Sequence, residues 1–249
     1  MSEPWHYADY ADLVLPAPIV AKIRVSEVIA VPSGPDHIQN SKFVRRYIEG
    51  QIETLIKGPR DVSPLIKMTV ELPLDARGKT EKIKKTEQII FAQSVAGTPN
   101  VLQLIAPDAM IDWNAARESR VHGIIAESLG SHSPPRIEGV ESAFSAPGNL
   151  PGERDTQIFL ATDSRPVSLS ITRKPDEDPQ WSVALGELAD VGVPPPAHDT
   201  LLWYELACNL PETIPDAKLA DLDALSAGAV RADYALVRKG LGMCARARP

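Results

Sequence analysis

Val44, Ile48, Ile52 and Ile56 share one face of an extended backbone while Arg45, Glu49, Gln51, Glu53 and Lys57 share the other. This is the period-two pattern of a half-buried strand, and a helix would scatter the same residues around its circumference. Gly50 falls on the inward face, where a missing side chain lets another backbone approach or the strand coil sharply. Gly58-Pro59 ends the run.

The neighbouring segments repeat the pattern. Ile19, Ala21, Ile23 and Val25 oppose Lys22, Arg24 and Ser26, and the phase slips near Glu27 before Ile29 and Val31. One extra residue there predicts a β-bulge, which lets a long strand bend around a barrel. Pro32 to Ser41 is rich in turn formers and reads as a loop. Ile66, Met68, Val70 and Leu72 form a third strand, Ile89 to Ala92 a short buried run, and Val101 to Ile105 a fifth. The strand series is expected to extend from Leu13 to Leu104. After Pro107, with Asp112 or Asn114 as the cap, Trp113, Ala116, Val121, Ile124, Ile125 and Ser128 recur at helical spacing until Gly130. Five strands and a helix predict an OB-like barrel over residues 1–130, with the helix plugging one open end.

Ser131-His-Ser-Pro-Pro135 reads as a linker. Beyond it, Ile137–Ser145, Gln157–Ala161, Val167–Thr172 and Trp181–Leu185 read as strands separated by short turns, which favours antiparallel neighbours. Val167, Leu169 and Ile171 are expected to face inward with Trp181, Val183 and Leu185. Asp199 is the expected N-cap of a helix bearing Leu202, Trp203, Leu206 and Leu210. A second helical stretch is expected from Pro215-Asp216 through Leu225, interrupted at Gly228 and resumed to Gly240. The fold class is therefore α+β and β-rich: an OB-like five-stranded barrel with a closing helix over 1–130, then a small antiparallel sheet with C-terminal helices over 131–249.

Composition narrows the function. The net charge is -7, and residues 131–249 carry 11 basic against 17 acidic side chains, so most of the acidity lies there. With an aromatic share of only 5%, the chain lacks both the basic face and the stacking platforms of a nucleic-acid binder. The N-terminus has no basic and apolar leader pattern and no apolar run reaches the roughly 18 residues of a membrane span. The expected location is the cytoplasm, with no membrane contact.

No catalytic spacing is present. Gly78-Lys79-Thr80 follows a strand, but a phosphate loop needs a glycine where Pro73 stands. Lys79, Lys82, Lys84 and Lys85 interleave with Glu81 and Glu87 and read as a solvated hairpin tip. The five histidines, His6, His37, His122, His132 and His198, lack metal-ligand spacing; only Glu118 and His122 stand one helical turn apart. Cys208 and Cys244 form no CxxC pattern; a disulfide is allowed but not demanded, and Cys208 among Leu206 and Leu210 reads as a buried, inert thiol. Catalytic, cofactor-binding and metal-binding residues are thus each assigned as none. The richest mix of aromatic and polar groups, His198, Trp203 and Tyr204, supplies the candidate ligand-binding residues.

The text Ala11-Asp-Leu-Val14, the long strand to Val31, Phe43 through Gly58, Ile89-Ile-Phe91 and the closing helix resembles the netrin-like, inhibitor-of-metalloprotease type of OB fold found in bacterial proteins. The cysteines that staple eukaryotic members are absent, and with them the case for protease inhibition. Pro147-Gly-Asn-Leu-Pro-Gly-Glu153, Thr156 to Leu160, Pro166 to Ser170 and Leu202 to Cys208 are similar to bacterial hypothetical proteins, a resemblance that supplies no activity. The expectation is a non-enzymatic binding or scaffold protein recognising a protein or small ligand, with edge strands of the second sheet available for a homodimer. The alternative is a hydrolase whose site is assembled from distant residues, His198 or His122 meeting a carboxylate and a hydroxyl.

Overall fold

Strand β1 (Ile19–Ala30) is long enough to pair with two partners at once because its register slips at Val20/Ala21, Lys22/Ile23 and Val25/Glu27. Those irregularities bend it, and the last falls at the phase slip in the sequence. The computed structural model describes residues 5–31, 42–186 and 192–248; the expected loop at Pro32–Ser41 lies outside them.

β1 pairs with β2 (Phe43–Lys57) on one side and β4 (Glu87–Val95) on the other. With β3 (Leu65–Pro73) and β5 (Thr98–Leu104), the order β1-β2-β3-β5-β4 closes through the β1–β4 pairing into a five-stranded barrel. The β3–β5 pairing is parallel and the others antiparallel. A short strand β6 (Met110–Asp112), absent from the sequence expectation, adds to β4. The interior is aliphatic, with Ile23, Ile48, Ile66, Met68 and Ile90 each at most 1% exposed. At Gly50 an added Cβ would lie 3.2 Å from the Arg24 carbonyl oxygen, so the glycine is there for close strand approach. On the outer wall, Arg24 and Lys22 of β1 pair with Glu53 of β2 and Glu87 of β4 at 2.6–3.3 Å. Lys22 also sits 3.9 Å over the Trp113 ring.

One expectation for this part needs correction. The segment around Leu13 is helix α1 (Tyr7–Val14), not strand. Most of its side chains are buried, so they show no polar face to betray the helical period. Helix α2 (Ala115–Leu129) follows the expected capping, with Asn114 Oδ1 accepting from the Arg117 N–H at 2.8 Å. Its buried Val121, Ile124 and Ile125, however, lie outside the barrel's interior cluster. Ile83, from the β3–β4 connection, enters that cluster instead.

The chain divides into two units, residues 9–126 with Trp5 and 247–248, and residues 6–8 with 127–246. In the first, the buried Asp9 carboxylate accepts the backbone N–H groups of Ala247 and Arg248 at 2.9–3.0 Å. Arg248 grips Asp108 with two bonds of 2.7 and 2.9 Å.

In the second unit, β7 (Ile137–Pro147), β8 (Arg154–Thr162), β9 (Val167–Arg173) and β10 (Gln180–Leu185) form an antiparallel meander in the order β10-β9-β8-β7. Val167, Leu169 and Ile171 pair with Leu185, Val183 and Trp181, the set read from the sequence. Val193 exchanges two backbone bonds with Val183, covering part of the β10 edge. Helix α3 (Leu201–Asn209) packs on β7, and α4 (Ala224–Leu241) packs on β7 and β8.

Both helix starts differ from expectation. Asp199 has φ +60, incompatible with the extended backbone of an N-cap, and Thr200 caps α3 by accepting from the Trp203 N–H at 3.3 Å. Pro215-Asp216 opens only a 3-10 turn at Asp216–Lys218. The helix begins after Asp223, whose carboxylate takes the Leu225 and Ser226 amides, and runs through Gly228 unbroken. Buried Ala227, Val230 and Tyr234 outweigh the roughly 1 kcal/mol that a mid-helix glycine costs.

Candidate functional site

The side chains picked from the sequence are brought together, but by packing. Trp203 is 4% exposed, donates its indole N–H to the Leu241 carbonyl at 2.8 Å, and lies 5.1 Å from the His198 ring, centroid to centroid. Tyr7 stands edge-on to Trp203 at 6.3 Å and near Tyr204 at 6.5 Å. Trp203 and Tyr204 thus fill an aromatic core beside the end of α4, with His198 exposed at its margin. His198 also explains Gly242: a Cβ there would come within 3.2 Å of its ring, and φ +72 favours glycine besides.

The turn at Gly242 reverses the chain, and two residues later Cys244 is bonded to Cys208 at the end of α3. The expected inert thiol is therefore half of a disulfide, the alternative that cysteine counting left open. Around the bond lies a groove of about 650 Å³. Among the described residues its walls carry Arg238, Lys239 and Arg246 and one carboxylate, Glu212. Arg238 donates to the carbonyls of Leu206 and Ala207 at 3.3 and 3.0 Å, a cation on the C-terminal carbonyls of α3. Arg246 reaches the Cys244 sulfur at 3.3 Å. Tyr234 supports the site from below: its hydroxyl donates to the Pro211 carbonyl, and burial pushes its pKa up to about 12.

Glu205 ties the floor of this region to the sheet. Its carboxylate accepts the Ile137 N–H at 3.1 Å and the Asn209 amide at 2.7 Å. Burial raises its pKa, which the bonds from Ile137 and Asn209 partly counter.

The other candidate groups are dispersed. His122 is more than half exposed and 4.0 Å from Glu118. Among the described residues neither His122 nor His198 is hydrogen-bonded to a hydroxyl and a carboxylate together, and no histidine lines the groove at the disulfide. Gly78-Lys79-Thr80 forms a tight reversal closed by the Leu74–Thr80 bridge, and Lys84 pairs with Glu27 at 2.6 Å. Among the described residues no group of three His, Cys, Asp or Glu side chains could hold a metal ion, and no helix is long and apolar enough to cross a membrane.

No family model matches the chain, and no curated protein is significantly similar to it. The site must be read from its own chemistry. The groove's lining sets Arg238, Lys239 and Arg246 beside the disulfide, with Arg238 held on the C-terminal carbonyls of α3 and Lys239 and Arg246 exposed. Sequence reasoning passed over these residues, although a signal was present. Four of the 11 basic side chains after residue 130 fall within 238–248, a stretch without any acidic residue in an otherwise acidic half.

Proposed function

We propose that the chain is a non-enzymatic binding protein and that the groove at the disulfide takes an acidic segment of a partner protein. The observation that carries this reading is the local excess of positive charge around Cys208–Cys244 in a chain of net charge -7. A nucleic acid would meet repulsion from the rest of such a surface, while a short run of Asp and Glu presents charge only where the cations are. The disulfide fixes Met243 to Arg246 beside α3 before any partner arrives, so less conformational freedom is lost on binding.

Two further points belong to the same reading. A structural disulfide persists in oxidising compartments and is rare in the cytosol, so the bond favours work outside the cytoplasm over the location expected from the sequence. The barrel's strand order supports the OB-like resemblance of the first part, and netrin-like kinship remains part of the proposal. For a homodimer the edge offered is β7, because Val193 already bonds β10.

The test is calorimetric titration of the oxidised full chain with a twelve-residue Glu-rich peptide and its Gln counterpart. Binding of the Glu peptide alone, weakening with added salt and falling at least tenfold in Lys239→Glu/Arg246→Glu, is expected. Equal binding of both peptides, or of none, removes the proposal.

A further inference from the structure

Arg154 and Arg173 stand directly opposite each other on β8 and β9. Like charges in that position destabilise a sheet, so something must hold them. Asp233, on α4, is 0% exposed and accepts from Arg173 Nε at 2.5 Å and from Thr156 Oγ1 at 2.6 Å. Because Thr156 spends its proton on Asp233, the 2.8 Å contact with Ser145 must have Ser145 as donor. Ser145 Oγ in turn accepts from Arg154 at 3.0 Å. The donation therefore runs from Arg154 through Ser145 and Thr156 to Asp233, with every hydroxyl giving and receiving once.

One buried carboxylate thus serves two guanidinium groups. Arg154 reaches it only through neutral hydroxyls, and no carboxylate pairs with Arg154 among the described residues. Both arginines line a cleft of about 410 Å³ at the β7–β8 turn, within the usual range for small-ligand sites. Glu153 also lines the cleft, with the Asn149 and Leu150 amides donating to its Oε2 at 2.8 and 3.1 Å. Pro147, Pro151 and Leu150, the last 59% exposed, add apolar surface to the lining.

We propose that this cleft binds a small organic monocarboxylate with an apolar body. Asp233 is bonded to Arg173, whereas Arg154 is bonded, among the described residues, only to the Ser145 hydroxyl, and its planar fork matches a carboxylate. The site is separate from the disulfide groove and does not depend on it.

The test titrates the full chain with hexanoate, acetate, hexanol and inorganic phosphate, reading amide and arginine side-chain shifts by NMR. Hexanoate is expected to bind more tightly than acetate, with hexanol and phosphate giving no saturable shift. Arg154→Gln should lower hexanoate affinity at least tenfold while leaving the melting profile in place, since Arg154 is half-exposed and its partner is a hydroxyl. Lys239→Glu/Arg246→Glu should bind hexanoate as the parent does. No saturable binding of hexanoate, tighter binding of phosphate, unchanged affinity in Arg154→Gln, or loss in Lys239→Glu/Arg246→Glu would each overturn the assignment.

Discussion

Replacing both cysteines by serine, Cys208→Ser/Cys244→Ser, removes the cross-link without removing either side chain's volume. The two residues are 36 apart in sequence. For a loop of that length the lost constraint on the unfolded chain is about 4 kcal/mol. With a urea slope of about 2 kcal/mol per M, the unfolding midpoint of the second unit should fall by about 2 M. The assay is urea denaturation followed by hydrogen exchange on peptides from α3 and α4. Wild-type protein held in a strong reductant should reproduce the variant, because the constraint is covalent and not a packing effect. A midpoint within about 0.3 M of the parent, far inside that expected shift, would show that the bond does not brace the α3–α4 end, and the preorganised groove would go with it.

Gly50→Val should destabilise the barrel by about 1–3 kcal/mol, since its Cβ would press on the Arg24 backbone oxygen, which is fixed in the β1–β2 pairing; a urea midpoint equal to wild type would mean the strands can separate there at no cost. The hydrogen bonds from Arg248 hold Asp108 below its ordinary pKa. A depressed carboxyl stabilises the fold above its unfolded pKa of about 3.9 and loses that contribution as pH falls through the folded value. Asp108→Asn should therefore flatten the acid limb of a stability–pH profile, and an unchanged limb would contradict the pairing.

The barrel was legible because its residues alternate. β1, β2 and β3 each keep apolar side chains on one face over several repeats, and the bulge near Glu27 is written as a break in phase. Helix α1 was hidden for the opposite reason, since eight residues buried on nearly every side show no period. The start of α4 was missed because Leu219, Leu222 and Leu225 continue a helical spacing across a real break, and the deciding group is the Asp223 carboxylate on two amides. His198, Trp203 and Tyr204 are near one another in sequence, and the structure shows Trp203 in aromatic contact with His198 and Tyr7. The groove itself joins the end of α3, the end of α4 and the coil after Gly242, through a disulfide that spacing cannot specify and the Arg238 and Trp203 bonds between the two helices.

The most direct measurement on the groove is an amide NMR map of the oxidised chain as a Glu-rich peptide is added. Resonances of residues 207–212 and 238–246 should move together and saturate, and the movement should vanish when Cys208–Cys244 is reduced. Shifts concentrated on the barrel strands, or a saturating response that survives reduction unchanged, would contradict a disulfide-braced acidic-segment site.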